Sequence, residues 1–217
     1  MPFSRGAYEN LWLLLCAVLS LLRLDRDALR APNPPGKGTE YRSDGSNLAF
    51  VVSRLREGSP EGFADWLGHL RTGLPSLKDI SVVERPEDRH SYLMLKYRNG
   101  LEVPSWMLSD GTLHLLALTI IAYLPSALWL IEEPENSIHP LNCEAVMQSL
   151  RSVYNGQVLV ATHSPVILGL VDPADVLVFS HDEEKGTQIT VGSEHPGLRD
   201  WKGEVSLGTL FAGGVLG

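Results

Sequence analysis

Two patterns alternate along the second half of the chain. Short uninterrupted apolar runs, "ALWLIE" (127–132), "QVLVAT" (157–162) and "DVLVFS" (175–180), are separated by stretches with helical spacing at about 110–123, 140–154 and 164–170. An apolar run with no polar alternate, bounded by turn residues, is the pattern of a strand buried on both faces. Such strands joined through helices make βα units, and hence a parallel sheet with helices on both sides. In sheets of this kind ligands gather where the strands end. The first run ends on Glu132 and continues into Glu133, and the second runs out into His163.

The first half reads differently. Residues 8–30 are predicted as one helix, built on the apolar run "LWLLLCAVLSLLRL" (11–24). That run is short of the roughly 20 residues that span a bilayer. Glu9 stands where a signal peptide keeps positive charge, and no small-residue cleavage site follows. A buried helix and no membrane span is therefore the expectation. A Pro/Gly-rich loop (31–47) leads through the capping residues Asp44, Ser46 and Asn47 into a helix carrying Leu48, Val51, Val52 and Leu55. Another helix is expected over 60–73, and an antiparallel pair of strands over 80–84 and 91–98. The expected division is a helical, lid-like segment with a short hairpin over 1–107, then an α/β lobe over 108–217.

Composition narrows the partners. The 217 residues are 44% hydrophobic and 20% charged, as in a water-soluble globular chain, and the formal net charge is −8. That charge argues against a dominant DNA-wrapping surface. Two cysteines, Cys16 and Cys143, form no CxxC and point to a reducing compartment such as the cytoplasm.

Three places carry candidate chemistry. Glu132 and Glu133, adjacent carboxylates at a strand end, are costly unless a cation compensates, and they suit magnesium and phosphate chemistry, one holding the metal and the other orienting or deprotonating an attacking water. The alternative is an acidic solvated turn. An imidazole at His163, after the next strand, has the chemistry to contact a terminal phosphate or the attacking water. In "MLSDGTLHLLAL" (107–118), Ser109 and Asp110 are capping residues and Gly111 permits close approach of a ligand. Alone, this last stretch is an ordinary capped helix.

Taken in order and at intervals of about 20 residues, these stretches resemble the C-terminal half of ABC-type ATPases of the SMC/RecF-like and OLD-like group, with a three-layer P-loop NTPase-like fold. "LSDGT" resembles the signature motif, "LWLIEEP" the Walker B strand, "ENSIHP" the D-loop and "THS" the switch-histidine segment. "DGSNLAFVVSRLR" and "SLGTLFAGGVLG" also resemble stretches of these ATPases, so the likeness extends over about residues 41–217. The resemblance implies ATP and Mg2+ as cofactors. Glu132 takes the magnesium position, with a longer side chain than the aspartate of many relatives. Glu133 is the general base, and His163 contacts the γ-phosphate. Leu108, Ser109, Asp110, Gly111 and Thr112 address the nucleotide of an opposed subunit in a head-to-head dimer, and Asn136, Ser137 and His139 lie in the D-loop between subunits. Roles in DNA repair or anti-phage defence, with DNA as a substrate, enter through this resemblance alone.

No GxxxxGK[ST] occurs in the sequence. "NPPGKGTE" offers Gly36 and Lys37, but Gly38 stands where Ser or Thr must hold magnesium, and no glycine lies five positions before Gly36. The expectation is that a Walker A segment comes from a missing N-terminal piece or from a partner polypeptide. Three accounts stay open: a piece of a longer ATPase, one half of a split ATPase, or a non-enzymatic head that docks a partner. Only about 50 residues follow "THSP" in this sequence, so an appended nuclease domain is not expected within it. A nuclease partner would be a separate chain.

Overall fold

The computed structural model describes residues 19–216 except 37, 39, 126, 127, 155, 200, 202 and 204. The chain divides into two compact units, Met1–Ala161 and Thr162–Gly217.

At the centre of the first unit is a three-stranded parallel sheet in the order β1 (Leu19–Leu22), β5 (Leu128–Glu132), β6 (Gln157–Ala161). Leu22, Ile131 and Val160 share one row across the sheet, as do Ser20, Trp129 and Val158. On that face Leu22, Trp129 and Ile131 are buried. The alternate rows bring Leu21, Leu130 and Leu159 together on the opposite face, where Leu21 and Leu159 stay 45% and 51% exposed. Helices α1 (Arg26–Arg30), α2 (Leu48–Gly58), α3 (Pro60–Gly73), α4 (Asp110–Thr119) and α5 (Pro140–Arg151) complete the unit with an antiparallel sheet, β2 (Leu77–Glu84), β3 (Ser91–Tyr97), β4 (Glu102–Pro104). Leu93 and Leu95, alternate residues of β3, are buried as the period of two requires.

Helix α4 buries nearly its whole circumference from Leu113 to Thr119, which suits a helix packed by neighbours on several sides. Its one buried hydroxyl is satisfied: Thr119 Oγ1 donates to the Leu115 carbonyl at 2.7 Å and accepts from Trp66 Nε1 at 2.9 Å.

The α/β class with a parallel sheet is the one the sequence predicts. Two elements differ. The helix expected over 8–30 is interrupted: 19–22 form strand β1, and a helix begins only at Arg26, capped by Asp25, whose Oδ1 accepts from the Ala28 N–H at 2.7 Å. Residues 8–18 lie outside the described residues. An all-apolar run carries no period, so helix and buried strand look alike in it. The second difference concerns "DVLVFS", expected as a third parallel strand. It forms β7 (Leu177–Asp182), which pairs antiparallel with β8 (Gly186–Val191), and the third parallel strand is β1. The chain returns at once because Asp182 Oδ1 accepts from the N–H groups of Glu184 and Lys185 and Gly186 takes φ +73°. "HDEEKG" (181–186) is thus a hairpin turn. Phe179 and Ile189, cross-strand partners in that hairpin, are 62% and 60% exposed.

The second unit also holds α6 (Pro165–Leu168) and α7 (Leu207–Ala212). Its core is Leu198, Leu207 and Leu216, packed with Val176, Trp201 and Phe211. Gly208 lets α7 lie against α6: a Cβ there would fall 1.8 Å from the Pro165 carbonyl oxygen.

Candidate functional site

Strand β5 is central in its sheet, so its C-terminal end opens between those of β1 and β6. Glu132 is its last residue and pairs with Ala161. At Glu133 the backbone leaves the strand with φ +45°, and its N–H donates to the Ala161 carbonyl at 2.7 Å. A left-handed conformation costs a side-chain-bearing residue about 1–2 kcal/mol. Such strain concentrates where a side chain must be aimed. The chain then turns tightly: Asn136 N–H donates to the Glu133 carbonyl at 3.0 Å, Ser137 takes φ +67°, and Ile138 N–H donates to the Glu135 carbonyl at 3.0 Å. His139 ends the turn as the cap of α5, accepting the Leu141 N–H on Nδ1 at 3.3 Å.

The start of α4 meets this turn. Leu108 is buried and anchors the approach. Ser109 caps the helix, accepting the Thr112 N–H at 3.2 Å, and its hydroxyl shares a second hydrogen bond with Thr112 Oγ1 at 2.8 Å. Asp110 reaches back to α1, where Arg30 Nη2 donates to it at 2.5 Å and Arg26 stands at 3.7 Å. The Arg30 hydrogen bond holds its carboxyl below the usual carboxylate range, opposed by partial desolvation and helped by the charges of Arg30, Arg26 and His114. Gly111 faces the turn directly: a Cβ there would lie 2.8 Å from the Ser137 carbonyl oxygen. The glycine is therefore required by the neighbouring turn, whatever ligand approaches it.

A cavity of about 270 Å³ opens at the ends of β1 and β5. Glu132, Glu133 and Asn136 line it over a floor that includes Leu22 and Ile131, and Arg23 and His114 complete its polar wall. Of the residues predicted from the sequence, the fold gathers Glu132, Glu133 and Asn136 here and sets Ser137 against Gly111. The hydroxyls of Ser109 and Thr112 and the carboxylate of Asp110 are turned to other partners. His163 belongs to the second unit, in the Thr162–Ser164 segment where Ser164 N–H donates to Thr162 Oγ1 at 2.9 Å and Ser164 caps α6.

Arg23 and His114 escape sequence reasoning. The first is hidden by the helix predicted over it. Its position just past a strand end is the signal that a correct strand assignment would have exposed. His114 carries no motif.

Among the described residues no three His, Cys, Asp or Glu side chains converge as a ready-made metal cage. One or two carboxylates on an open cavity are the donor set of magnesium, which keeps waters and takes its remaining ligands from phosphates. The donors at Glu132 and Glu133 fit that ion.

A protein-family model described as "AAA domain, putative AbiEii toxin, Type IV TA system" matches residues 21–169. No curated protein matches the chain significantly. Among solved structures, one described as "Structural biochemistry of ATP-driven dimerization and DNA stimulated activation of SMC ATPases" is 14% identical, covering 64% of this chain and 88% of that one at a TM-score of 0.47. A Pyrococcus furiosus Smc head domain with an extended coiled coil, bound to the C-terminal domain of ScpA, is 15% identical over 68% of this chain and 40% of that one, with a TM-score of 0.47. An Smc head bound to the C-winged helix domain of ScpA is 14% identical over 66% and 48% of the two chains, with a TM-score of 0.48. The chain thus spans under half the length of the two ScpA-bound heads.

Proposed function

The chain belongs to this AAA-domain family, a P-loop ATPase-related group, and from that premise we propose that it is the ATP-hydrolysing lobe of an SMC/RecF-like head whose Walker A is supplied by another segment or a partner chain. The observation that carries the reading is the pair Glu132–Glu133 at the end of the central parallel strand, with Glu133 held in a left-handed conformation on the rim of a cavity.

In this reading each residue has a role that its place supports. Glu132, last in the strand, holds magnesium, which when bound screens the phosphate charge and polarises the phosphate. Glu133 takes a proton from the attacking water, and Asn136 orients that water by hydrogen bonding. The α4 start acts through its backbone. Its first N–H groups, those of Asp110 and Gly111, lack an intrahelical carbonyl partner, and with the helix dipole they suit the γ-phosphate of an opposed subunit. Ser109 and Thr112 keep that end in shape, Leu108 anchors it, and Asp110 fixes it to α1. Ser137 and His139, in the turn packed on Gly111, meet the partner head in a head-to-head dimer. For His163, the resemblance of "THS" to a switch-histidine segment implies contact with the γ-phosphate. A cytoplasmic setting accords with the ATP requirement. Roles in DNA repair or anti-phage defence, an association with a separate nuclease and action on DNA are supported by the family likeness read from the motifs. Among the described residues no helix is long and apolar enough to cross a membrane.

Glu133→Gln keeps the shape and removes the base. In the assembly that carries the P-loop, it should slow turnover by about 10²–10⁴-fold with nucleotide binding retained; unchanged turnover removes Glu133 from this role. A docking-only head is the second reading, favoured by the exposed Leu21, Leu159, Phe179 and Ile189. It requires that loss of Glu132, Glu133 and His163 together leave biological activity intact.

A further inference from the structure

The arginines of the first unit are mostly spoken for. Arg26, Arg30, Arg42, Arg56, Arg85 and Arg89 each lie within ion-pair distance of a carboxylate. Arg23 differs: among the described residues it makes no ion pair, and it lines the cavity that Glu132 and Glu133 line. Its backbone is fixed, because Arg23 N–H donates to the Ser43 carbonyl at 2.8 Å and Asp25 N–H to the Asp44 carbonyl at 3.1 Å. Leu22 pairs with Ile131, so Arg23 and Glu132 are the next residues on adjacent parallel strands. A guanidinium and a carboxylate thus stand side by side on the rim without closing on each other. An exposed pair of this kind is worth about 0–1 kcal/mol, too little to withhold either group from a ligand.

We propose that Arg23 is a phosphate-binding residue of this cavity, taking the non-bridging oxygens of a phosphoanion whose magnesium ion is held at Glu132. The proposal rests on reading Glu132 and Glu133 as the hydrolytic pair. Two carboxylates offset the charge of one magnesium ion, which leaves the anion itself uncompensated on this wall. A guanidinium has the planar donor fork that matches phosphate oxygens and stays charged at every relevant pH. On the strand beside the metal site it would act within its own chain, as arginines do in other phosphoryl-transfer sites.

The test uses the full chain, with Mg2+ and inorganic pyrophosphate as the probe, followed by calorimetry. Arg23→Gln should weaken binding about tenfold, whereas Arg26→Gln, whose partners are Asp27 and Asp110, should change it less than about twofold. Arg23 is exposed, so the melting curve of Arg23→Gln should match the wild type. Equal affinity in the Arg23→Gln and wild-type chains overturns the proposal. So does an absence of pyrophosphate binding by the wild type at millimolar concentration. Glu133→Gln is measured beside them. Binding retained there and weakened about tenfold in Arg23→Gln assigns Arg23 even if the chain hydrolyses nothing. A completed ATPase silenced by Glu133→Gln but untouched by Arg23→Gln keeps the hydrolytic reading and removes Arg23.

Discussion

The two stretches that meet at Gly111 use their polar groups in opposite ways. At 109–112 the side chains serve the protein: Ser109 caps, Thr112 Oγ1 bonds to Ser109, and Asp110 is held by Arg30. What that helix start offers a ligand is backbone. At 132–137 the backbone serves the protein: Glu133 N–H holds Ala161, Asn136 N–H holds Glu133, and the Ser137 carbonyl packs on Gly111. What that turn offers is side chains, those of Glu132, Glu133 and Asn136 on the cavity. Side-chain substitutions should therefore cost stability in the first stretch and chemistry in the second.

Glu133→Gln is the largest expected effect, and it sharpens the contrast if turnover collapses while the melting curve is unchanged. A matching loss of stability would break it, since Glu133 would then be structural. Gly111→Ala comes next and tests the junction itself. The added methyl meets a backbone carbonyl at 2.8 Å, which no rotamer change relieves, so the expected cost is about 1–3 kcal/mol in urea unfolding. Gly68→Ala in α3 is the control, because nothing lies within 4 Å of its added Cβ. That substitution should stabilise by about 0.5–1 kcal/mol. If Gly111→Ala is as mild as Gly68→Ala, the turn and α4 are not pressed together.

Legibility from sequence follows the same contrast. Strand β5 and its two acids are readable because a short apolar run that breaks into charge and proline marks both the burial of a strand and the residue at which it ends. Capping at Ser109 is readable because its chemistry is local. The close approach at Gly111 is only half readable: a glycine announces that something comes near, but what comes near is Ser137, 26 positions away in sequence. Strand β1 is not readable, since its partner β5 lies more than a hundred residues on and an apolar run is silent about period. Losing β1 also loses Arg23, whose meaning depends on its being the residue after a strand. The hairpin at 177–191 shows the converse failure: "DVLVFS" has the composition of a buried strand, but the turn chemistry of Asp182 and Gly186 decides its pairing.

Ser109→Ala should cost about 1 kcal/mol, the usual worth of an N-cap, read as a lower urea midpoint. Nucleotide affinity in the completed assembly should fall only as far as the frayed helix end requires. A loss of nucleotide binding with stability unchanged would show that the hydroxyl itself meets the ligand, and the division between the two stretches would fail.

The smallest effect lies at Asp110 and appears only in acid. Its carboxyl is held below the usual range chiefly by the Arg30 hydrogen bond, whereas in the unfolded chain it titrates near about 3.9. A depressed folded value means that the native state releases this proton more readily than the unfolded state. The stabilisation is therefore fully present above about pH 4 and drains away as pH falls through the folded value. Asp110→Asn removes that dependence while keeping a hydrogen-bond acceptor for Arg30. Urea midpoints of the two proteins should differ by a constant amount from neutrality down to about pH 5 and converge below about pH 4. Asp88, also depressed, is present in both and drops out of the difference. A gap independent of pH would mean that Arg30 is not holding an ionised carboxylate, and the side chains at the start of α4 would lose their clearest structural member.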